Sequence, residues 1–98
     1  MLESKFQASV IKEIRDRFPG CDILKNDASI RSGIPDLLIL YKTKWAMLEC
    51  KQTKNSKKRP NQEYYINLFN KMSYASFIYK ENRKEVMHEL ELLFAPER

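Results

Sequence analysis

The stretch Gly33–Lys51, GIPDLLILYKTKWAMLECK, decides the fold of this 98-residue chain. It contains two short apolar runs separated by a polar turn, with Asp36 before the first run and Glu49-Cys50-Lys51 at the end of the second. Successive side chains of a strand point to opposite faces, so Glu49 and Lys51 share one face and Cys50 takes the other. If the two runs form a hairpin whose turn holds an even number of residues, Asp36 lies on the same face as Glu49.

The turn of this hairpin lacks the Asn-Gly or Gly residues that favour the tightest turns. We therefore expect a longer loop around 42–44. The run 37–40 is apolar at every position, which is typical of a central strand covered on both faces. The segment 45–48 is also apolar at every position and indicates that the next strand is covered on both faces as well.

Two carboxylates and an ammonium on one face suit metal-assisted chemistry on phosphate esters. Mg²⁺ is typically held by one or two carboxylates together with water and substrate phosphate, and the backbone carbonyl of Cys50 can add one more oxygen. A metal there lowers the pKa of a bound water and neutralises phosphate charge. Lys51 would orient or deprotonate that water, or stabilise the charged transition state. The alternative is a surface hairpin with a solvated Glu-Lys pair, which contributes little to stability.

Pro35-Asp36 followed by Glu49-Cys50-Lys51 resembles the motif of the PD-(D/E)XK nucleases, and the whole chain is similar to their small stand-alone VRR-NUC and Holliday-junction-resolvase branch. The resemblance implies a restriction-endonuclease-like domain. It also implies that Asp36 and Glu49 bind Mg²⁺, for which Mn²⁺ substitutes, and that Lys51 is the catalytic lysine.

Two further residues are assigned to the catalytic site by the resemblance. These nucleases often carry a glutamate on the first helix near the metal, and Glu3 fits that placement better than Glu13. A glutamine is common at the start of a later helix, where Gln62 stands. Without the resemblance, Glu3 is a favourable acid in a first helical turn, and Gln62 is an ordinary polar residue at a helix start.

The pattern of apolar residues predicts one α/β domain over residues 1–98, in the order helix, strand, strand, strand, helix, strand, helix. The expected elements are a helix over 3–18, strands over 21–27 and 35–41, a strand ending at Lys51, a helix from Pro60 to about 71–73, a strand over 75–80 and a helix ending near Phe94. A hairpin followed by a helical crossover predicts a mixed central sheet with helices on both faces.

Details of the helices follow from the same periodicity. The expected apolar faces are Phe6, Val10, Ile11, Ile14 and Phe18 in the first helix, Tyr65, Leu68, Phe69 and Met72 in the second, and Val86, Leu90 and Leu93 in the last. Asn82 is the expected N-cap of the last helix, with Glu85 completing a capping box. His88 is expected on the outer face of that helix.

Composition places the chain among globular proteins, with 43% hydrophobic and 32% charged residues. No apolar run approaches the ~20 residues of a membrane span, and the N-terminus has no signal-peptide pattern, so we expect a cytoplasmic protein without a membrane partner. Cys21 and Cys50 cannot build a disulfide scaffold and have no CxxC spacing for zinc. Cys50 is expected to be a buried thiol.

The net charge of +5 indicates a polyanionic partner. The segment 51–59, KQTKNSKKR, contains five basic residues and no acid. Carboxylates repel phosphate unless nearby cations and a metal compensate, which favours a role for this segment in binding nucleic acid over that of a solvated loop. The residues predicted to contact nucleic acid are Lys25, Arg31, Ser32, Lys54, Lys57, Lys58 and Arg59.

These observations lead to the hypothesis of a Mg²⁺-dependent endonuclease that cuts branched DNA, with four-way junctions as the expected substrate. The preference for DNA comes from the resemblance. Resolving a junction needs two coordinated cuts, and a two-fold homodimer supplies two sites. Tyr74, Phe77, Met87 and Phe94 line either the dimer contact or the monomer core. The alternatives are a nucleic-acid-binding module with an idle nuclease-like site, and a nicking or flap nuclease without junction selectivity.

Overall fold

The computed structural model describes residues 2–96, and its elements follow the predicted order. They are α1 (Glu3–Arg17), β1 (Asp22–Lys25), β2 (Leu37–Tyr41), β3 (Lys44–Cys50), α2 (Pro60–Met72), β4 (Ala75–Ile78) and α3 (Arg83–Phe94). The strands form a four-stranded sheet in the order β1-β2-β3-β4. Both β1–β2 and β2–β3 are antiparallel, whereas β3–β4 is parallel, which confirms the predicted mixed sheet and α/β fold.

The turn between β2 and β3 contains only residues 42–43, because Tyr41 pairs directly with Lys44. The expectation of a longer loop is therefore wrong. Lys42 adopts a φ of 57°, which is the left-handed conformation that a tight two-residue turn requires. A lysine takes this conformation at a cost of roughly 1–2 kcal/mol, and the pairing of the two central strands offsets that cost.

The face of the sheet that packs against α1 and α3 is the core of the protein. Leu37, Ile39 and Leu48 are fully buried there, together with the Cys50 side chain, whose thiol is free. The predicted apolar face of α1 is buried or half-buried against this layer. Cys50 is therefore a buried thiol, as predicted, and burial raises its pKa. Within residues 2–96, no helix is long and apolar enough to cross a membrane.

The opposite face of the sheet is only partly covered. Helix α2 lies over β3 and β4, and Ile66 is the residue that it buries. Leu68 and Met72 of α2 are exposed, and so is Leu40 of β2. The prediction that β2 is covered on both faces is therefore wrong, because α2 leaves the β1–β2 half of this face open, and the predicted apolar face of α2 is only partly buried.

Helix α3 begins without the predicted capping box. Asn82 occupies the N-cap position but makes no side-chain cap hydrogen bond. Its carboxamide instead accepts a hydrogen bond from the backbone N–H of Tyr79 (2.8 Å) and donates one to the carbonyl of Phe77 (3.0 Å). Asn82 thus fixes the start of α3 to the end of β4.

Helix α3 packs its apolar face against the sheet. Met87 and Phe94 are buried in the core, whereas Tyr74 and Phe77 are half-buried. Met87 and Phe94 therefore fill the monomer core and are not available for a dimer contact. His88 is exposed, as predicted.

Candidate active site

Asp36 and Glu49 lie opposite each other where the β2–β3 hairpin opens. The pairing of Leu37 with Leu48 sets this register. The backbone N–H of Asp36 donates a hydrogen bond to Glu49 Oε1 (3.1 Å), and the backbone N–H of Cys50 donates one to Asp36 Oδ2 (3.0 Å). Each carboxylate is thus held by the backbone of the neighbouring chain segment, so the start of β2 and the end of β3 fix both groups.

Helix α1 brings a third carboxylate to this point. Carboxylate oxygens of Glu3, Asp36 and Glu49 all lie within 4.8 Å of one another. Gln7, one helical turn after Glu3, forms a side-chain hydrogen bond with Asp36. The sequence interpretation did not include Gln7 in the site, although its one-turn spacing from Glu3 places both side chains on the same side of the helix.

Lys51 and Gln62 contact the Glu49 carboxylate from two directions. Lys51 is 9% exposed and Glu49 is 3% exposed. Lys51 Nζ lies 3.8 Å from Glu49 Oε2, and Gln62 Nε2 donates a hydrogen bond to the same oxygen at 3.2 Å. Gln62 Oε1 also accepts the backbone N–H of Arg59 (3.1 Å) at the start of α2. The structure therefore brings together Glu3, Asp36, Glu49, Lys51 and Gln62.

The site is short of positive charge. Burial raises the pKa of Glu49 to about 7, and the negative charge of Asp36 adds to that effect more than Lys51 counters it. Burial also raises the pKa of Asp36, against the lowering effects of the Cys50 N–H and the Lys51 charge. Desolvation and a like charge both disfavour the ionised form of a carboxylate. A cation bound between the carboxylates would stabilise their charged forms.

The donor set fits a hard divalent cation. Its side-chain donors are carboxylate oxygens, and oxygen ligands suit Mg²⁺ and Mn²⁺. The Cys50 thiol belongs to the core face of the sheet, so the side chain of this residue does not join the donors. The use of its backbone carbonyl as a ligand stays a prediction.

The basic segment 51–59 leaves the sheet directly beyond the carboxylates. Lys54, Lys57 and Arg59 are exposed. The Lys58 ammonium instead lies over the rings of Phe77 (5.2 Å) and Tyr79 (5.3 Å). Lys58 therefore packs against β4 and its end, while three other cations face solvent.

Arg31 and Ser32 lie on the loop that leads into Asp36. The Arg31 guanidinium is 5.9 Å from the centre of the Tyr65 ring, and Ser32 Oγ accepts a hydrogen bond from Asn61 Nδ2 (2.9 Å). Both residues are exposed beside the start of α2.

Lys25 has a different position. It pairs with Leu37, whose side chain belongs to the core face, and it lines an open groove beside α1 together with Lys12 and Arg15. Lys25 thus faces α1, on the opposite face of the sheet from Asp36 and Glu49.

Solved structures similar to this chain include two that are described as VRR_NUC domains. One is a VRR_NUC domain protein with a TM-score of 0.70 and 18% sequence identity, and the alignment covers 95% of this chain and 90% of that chain. The other is a VRR_NUC domain with a TM-score of 0.60 and 30% identity over 83% of this chain and 94% of that chain.

The fold is therefore of the PD-(D/E)XK-like nuclease class. More narrowly, the chain belongs to the VRR_NUC domain family. A scan of the sequence against family models gives no match, and neither does a search of curated proteins.

Proposed function

We propose that the protein is a metal-dependent endonuclease that hydrolyses phosphodiester bonds of DNA. The observation that carries this proposal is the cluster of Glu3, Asp36 and Glu49 oxygens within 4.8 Å of one another, in a chain of a nuclease-domain family. The buried ammonium of Lys51 stands 3.8 Å from Glu49. A solvated surface ion pair would not account for carboxylates of raised pKa beside a buried lysine.

Mg²⁺ is the proposed cofactor, with Mn²⁺ able to replace it. Its ligands are Asp36, Glu49 and Glu3, with the Cys50 backbone carbonyl as an additional oxygen. When bound, the ion lowers the pKa of a coordinated water and neutralises charge on the phosphate.

The surrounding side chains orient these ligands and act on the substrate. Gln62 fixes one oxygen of Glu49, and Gln7 fixes the Asp36 carboxylate. Lys51 donates hydrogen bonds to the attacking water or to the phosphate oxygens, where its charge stabilises the transition state. Because Lys51 is buried, solvent screens the electric field of its ammonium less than it screens that of a surface lysine.

Exposed cations flank the carboxylates and suit the DNA backbone. The segment after β3 carries three of them, Lys54, Lys57 and Arg59, and the loop before Asp36 carries Arg31. Contacts of this kind to phosphate are independent of base sequence. We therefore expect the protein to have low sequence specificity and to recognise the shape of its DNA substrate. The proposed substrate is branched DNA such as a four-way junction.

A homodimer is the proposed working form, with a different contact from the one predicted. Exposed apolar residues lie on the two strands that α2 leaves open and on α2 itself. This surface, termed the apolar flank, consists of Leu24, Leu40, Leu68 and Met72 around the half-buried Trp45 and Phe69. Leu40 pairs with Trp45, and the Trp45 ring meets the Phe69 ring of α2 at 6.3 Å.

A second copy of this chain suits the apolar flank for an electrostatic reason. In a two-fold dimer the same surface meets itself, so a charged surface of a +5 protein repels its copy. The apolar flank is free of that penalty. Its pairing would place two active sites on one particle, as two cuts at a junction require.

Cleavage assays with metal titration test the proposed function. Supercoiled plasmid and a synthetic four-way junction are incubated with the protein in Mg²⁺, Mn²⁺ or EDTA, and Asp36→Ala serves as the inactive variant. Cleavage in either metal, absent in EDTA and in Asp36→Ala, is expected. Binding of both DNAs without cleavage in any metal would support a nucleic-acid-binding module with an idle site. Equal cutting of linear duplex and junction would support a nuclease without junction selectivity.

A further inference from the structure

The loop between β1 and β2, residues 26–36, is anchored on the active site at its base. The backbone N–H of Asn26 donates to the carbonyl of Asp36 (2.8 Å), and Asn26 Nδ2 donates to the carbonyl of Pro35 (2.8 Å). The two ends of the loop are therefore joined to each other. Because Asp36 is one of the clustered carboxylates, the loop stands directly on the site.

The second half of the loop is braced against α2. Gly33 has a φ of 90°, and a Cβ atom there would lie 2.7 Å from Asn61 Cγ. Glycine is thus required both by the backbone conformation and by the close approach to α2. The Ser32–Asn61 hydrogen bond and the contact of Arg31 with the Tyr65 ring add to this brace.

The tip of the loop is a closed turn with an apolar residue at its end. Asp27 Oδ1 accepts hydrogen bonds from the backbone N–H (2.8 Å) and the hydroxyl (2.6 Å) of Ser29. The backbone N–H of Ile30 donates to the carbonyl of Asp27 (3.1 Å). Ile30 is 85% exposed, the highest fraction of any large hydrophobic residue in the part of the chain that the structure describes.

A single exposed apolar residue is ordinary on a protein surface. Ile30 differs from such a residue in two respects, the rigidity of the loop that carries it and the place of that loop beside the candidate active site. The turn and the brace hold the loop in a defined shape, so little conformational entropy remains to be lost on contact. The loop also leaves the same end of the sheet as the segment 51–59, since β1 and β3 run in the same direction and both segments follow their carboxyl ends.

We propose that Ile30 is a wedge that inserts between bases at a discontinuity in DNA and thereby selects branched over continuous duplex. This inference rests on the proposed nuclease function and names a specificity-determining residue for it. Proteins kink DNA by inserting apolar side chains, isoleucine among them, between base steps. Arg31, next in the chain, is positioned to contact the adjoining phosphate.

The energetics explain why a wedge of this kind discriminates. Unstacking a base step in continuous duplex has a free-energy cost that binding must supply. The cost is least where pairing or stacking is already broken, as it is at a branch point. A fixed apolar residue at the tip of the loop that leads into Asp36 therefore favours substrates that provide an open step close to the cutting position.

Cleavage rates of the wild type and of Ile30→Ser test the wedge. The rates are measured under single-turnover conditions on a four-way junction and on a linear duplex of the same sequence. The ratio of junction rate to linear rate should fall by about tenfold in Ile30→Ser, which corresponds to loss of part of the insertion energy. Ile30→Leu should retain the ratio, and Leu92→Ser, which removes an exposed leucine of α3, should leave it unchanged.

A direct readout of insertion complements the rates. In a Lys51→Ala background that holds DNA uncut, 2-aminopurine at the branch point should brighten on binding of the protein that keeps Ile30. The added substitution Ile30→Leu should preserve this brightening, whereas Ile30→Ser should leave the probe dim. Circular dichroism and light scattering check that the variants keep their fold and oligomeric state.

Three results would overturn the wedge. The first is an unchanged cleavage ratio in Ile30→Ser while the wild type cleaves DNA. The second is unchanged brightening in that variant, and the third is a change of oligomeric state that accounts for the lost selectivity. A wild type that cleaves no DNA in any metal would instead overturn the proposed function, and the wedge with it.

Discussion

The backbone N–H of Asp36 donates a hydrogen bond to the carboxylate of Glu49 at 3.1 Å. This bond joins the residue that precedes β2 to the penultimate residue of β3. Their side chains consequently meet with those of Glu3, Lys51 and Gln62 in a small volume. The hairpin register, and not proximity in sequence, creates the site.

Substitution of Gly33 should damage the site more than substitution of Gly20. Both glycines have a φ near 90°, but a Cβ at Gly20 meets nothing within 4 Å, whereas one at Gly33 meets Asn61. Each alanine variant should lose about 1 kcal/mol or more from backbone strain. Gly33→Ala should lose about 1–3 kcal/mol further, because the packed contact must open.

The free energies of unfolding of the two variants, measured in urea, test this difference. Gly33→Ala should also cleave more slowly, since its loop leads into Asp36. Equal destabilisation of the two variants would show that the loop does not press on α2.

The stability of the metal-free protein should fall as pH rises from about 4.5 to above 7. Glu49 has an ordinary pKa of 4.5, and burial with the charge of Asp36 raises it to about 7 in the folded state. Over this interval the folded protein keeps a proton that the unfolded chain releases. The stabilisation by this proton is therefore complete below the pKa of Glu49 in the unfolded chain. It is lost as pH rises through the pKa of Glu49 in the folded protein, by up to about 3 kcal/mol. The raised pKa of Asp36 acts in the same direction.

Thermal unfolding in EDTA between pH 5 and 8 measures this dependence, and Glu49→Gln should remove most of it. Added Mg²⁺ should raise the melting temperature more at pH 8 than at pH 5.5, because protons compete with the metal for the carboxylates. A melting temperature that rises with pH in the wild type would contradict the raised pKa of Glu49.

Much of the fold was predictable because its determinants are local in sequence. The periodicity of Phe6, Val10 and Ile14 defines α1. The meeting of Asp36 with Glu49 was predicted only for a turn with an even number of residues, and the two-residue turn fulfils that condition. The tight turn was not predictable, because Lys42 adopts a conformation that its own chemistry disfavours. The shape of the hairpin overrides that local preference.

Other features depend on tertiary arrangement. Leu68 and Met72 have helical spacing suited to burial, yet the position of α2 over β3 and β4 leaves them exposed. The amide of Asn82 is equally suited to capping α3 and to bonding with β4, and the end of the strand decides between the two. Gln7 contacts Asp36 only because α1 crosses the open end of the hairpin.

Neutralising exposed cations of the segment 51–59 should weaken DNA binding uniformly across sequences. Lys57→Gln and Arg59→Gln should each reduce the slope of log affinity against log salt by about 0.9 for every phosphate that the variant no longer neutralises. Lys71→Gln is the matched control, because Lys71 is an exposed cation in the last turn of α2, at the opposite end of that helix. Fluorescence anisotropy over a salt series gives the slopes. Identical slopes in all three variants would assign the segment to a solvated surface.

A charge in the apolar flank should dissociate the homodimer. Met72 and Leu92 are both 65% exposed, but only Met72 belongs to the apolar flank. Met72→Glu should run as a monomer in multi-angle light scattering, since it would bury two like charges against each other. Leu92→Glu should remain dimeric. A monomeric wild type, or a dimer that survives Met72→Glu and Leu68→Glu, would reject this contact.

The most direct test of the central claim is single-turnover cleavage of labelled junction DNA by the wild type, Lys51→Ala and Lys54→Ala over a Mg²⁺ titration. Lys51 contacts Glu49, whereas Lys54 is an exposed cation of the same segment. Lys51→Ala should cleave about 10²–10³-fold more slowly at saturating DNA and Mg²⁺, because the transition state loses a fixed positive charge. Lys54→Ala should keep the rate and lose only affinity. Wild-type cleavage rates in Lys51→Ala, or wild-type cleavage that persists in EDTA, would contradict the account.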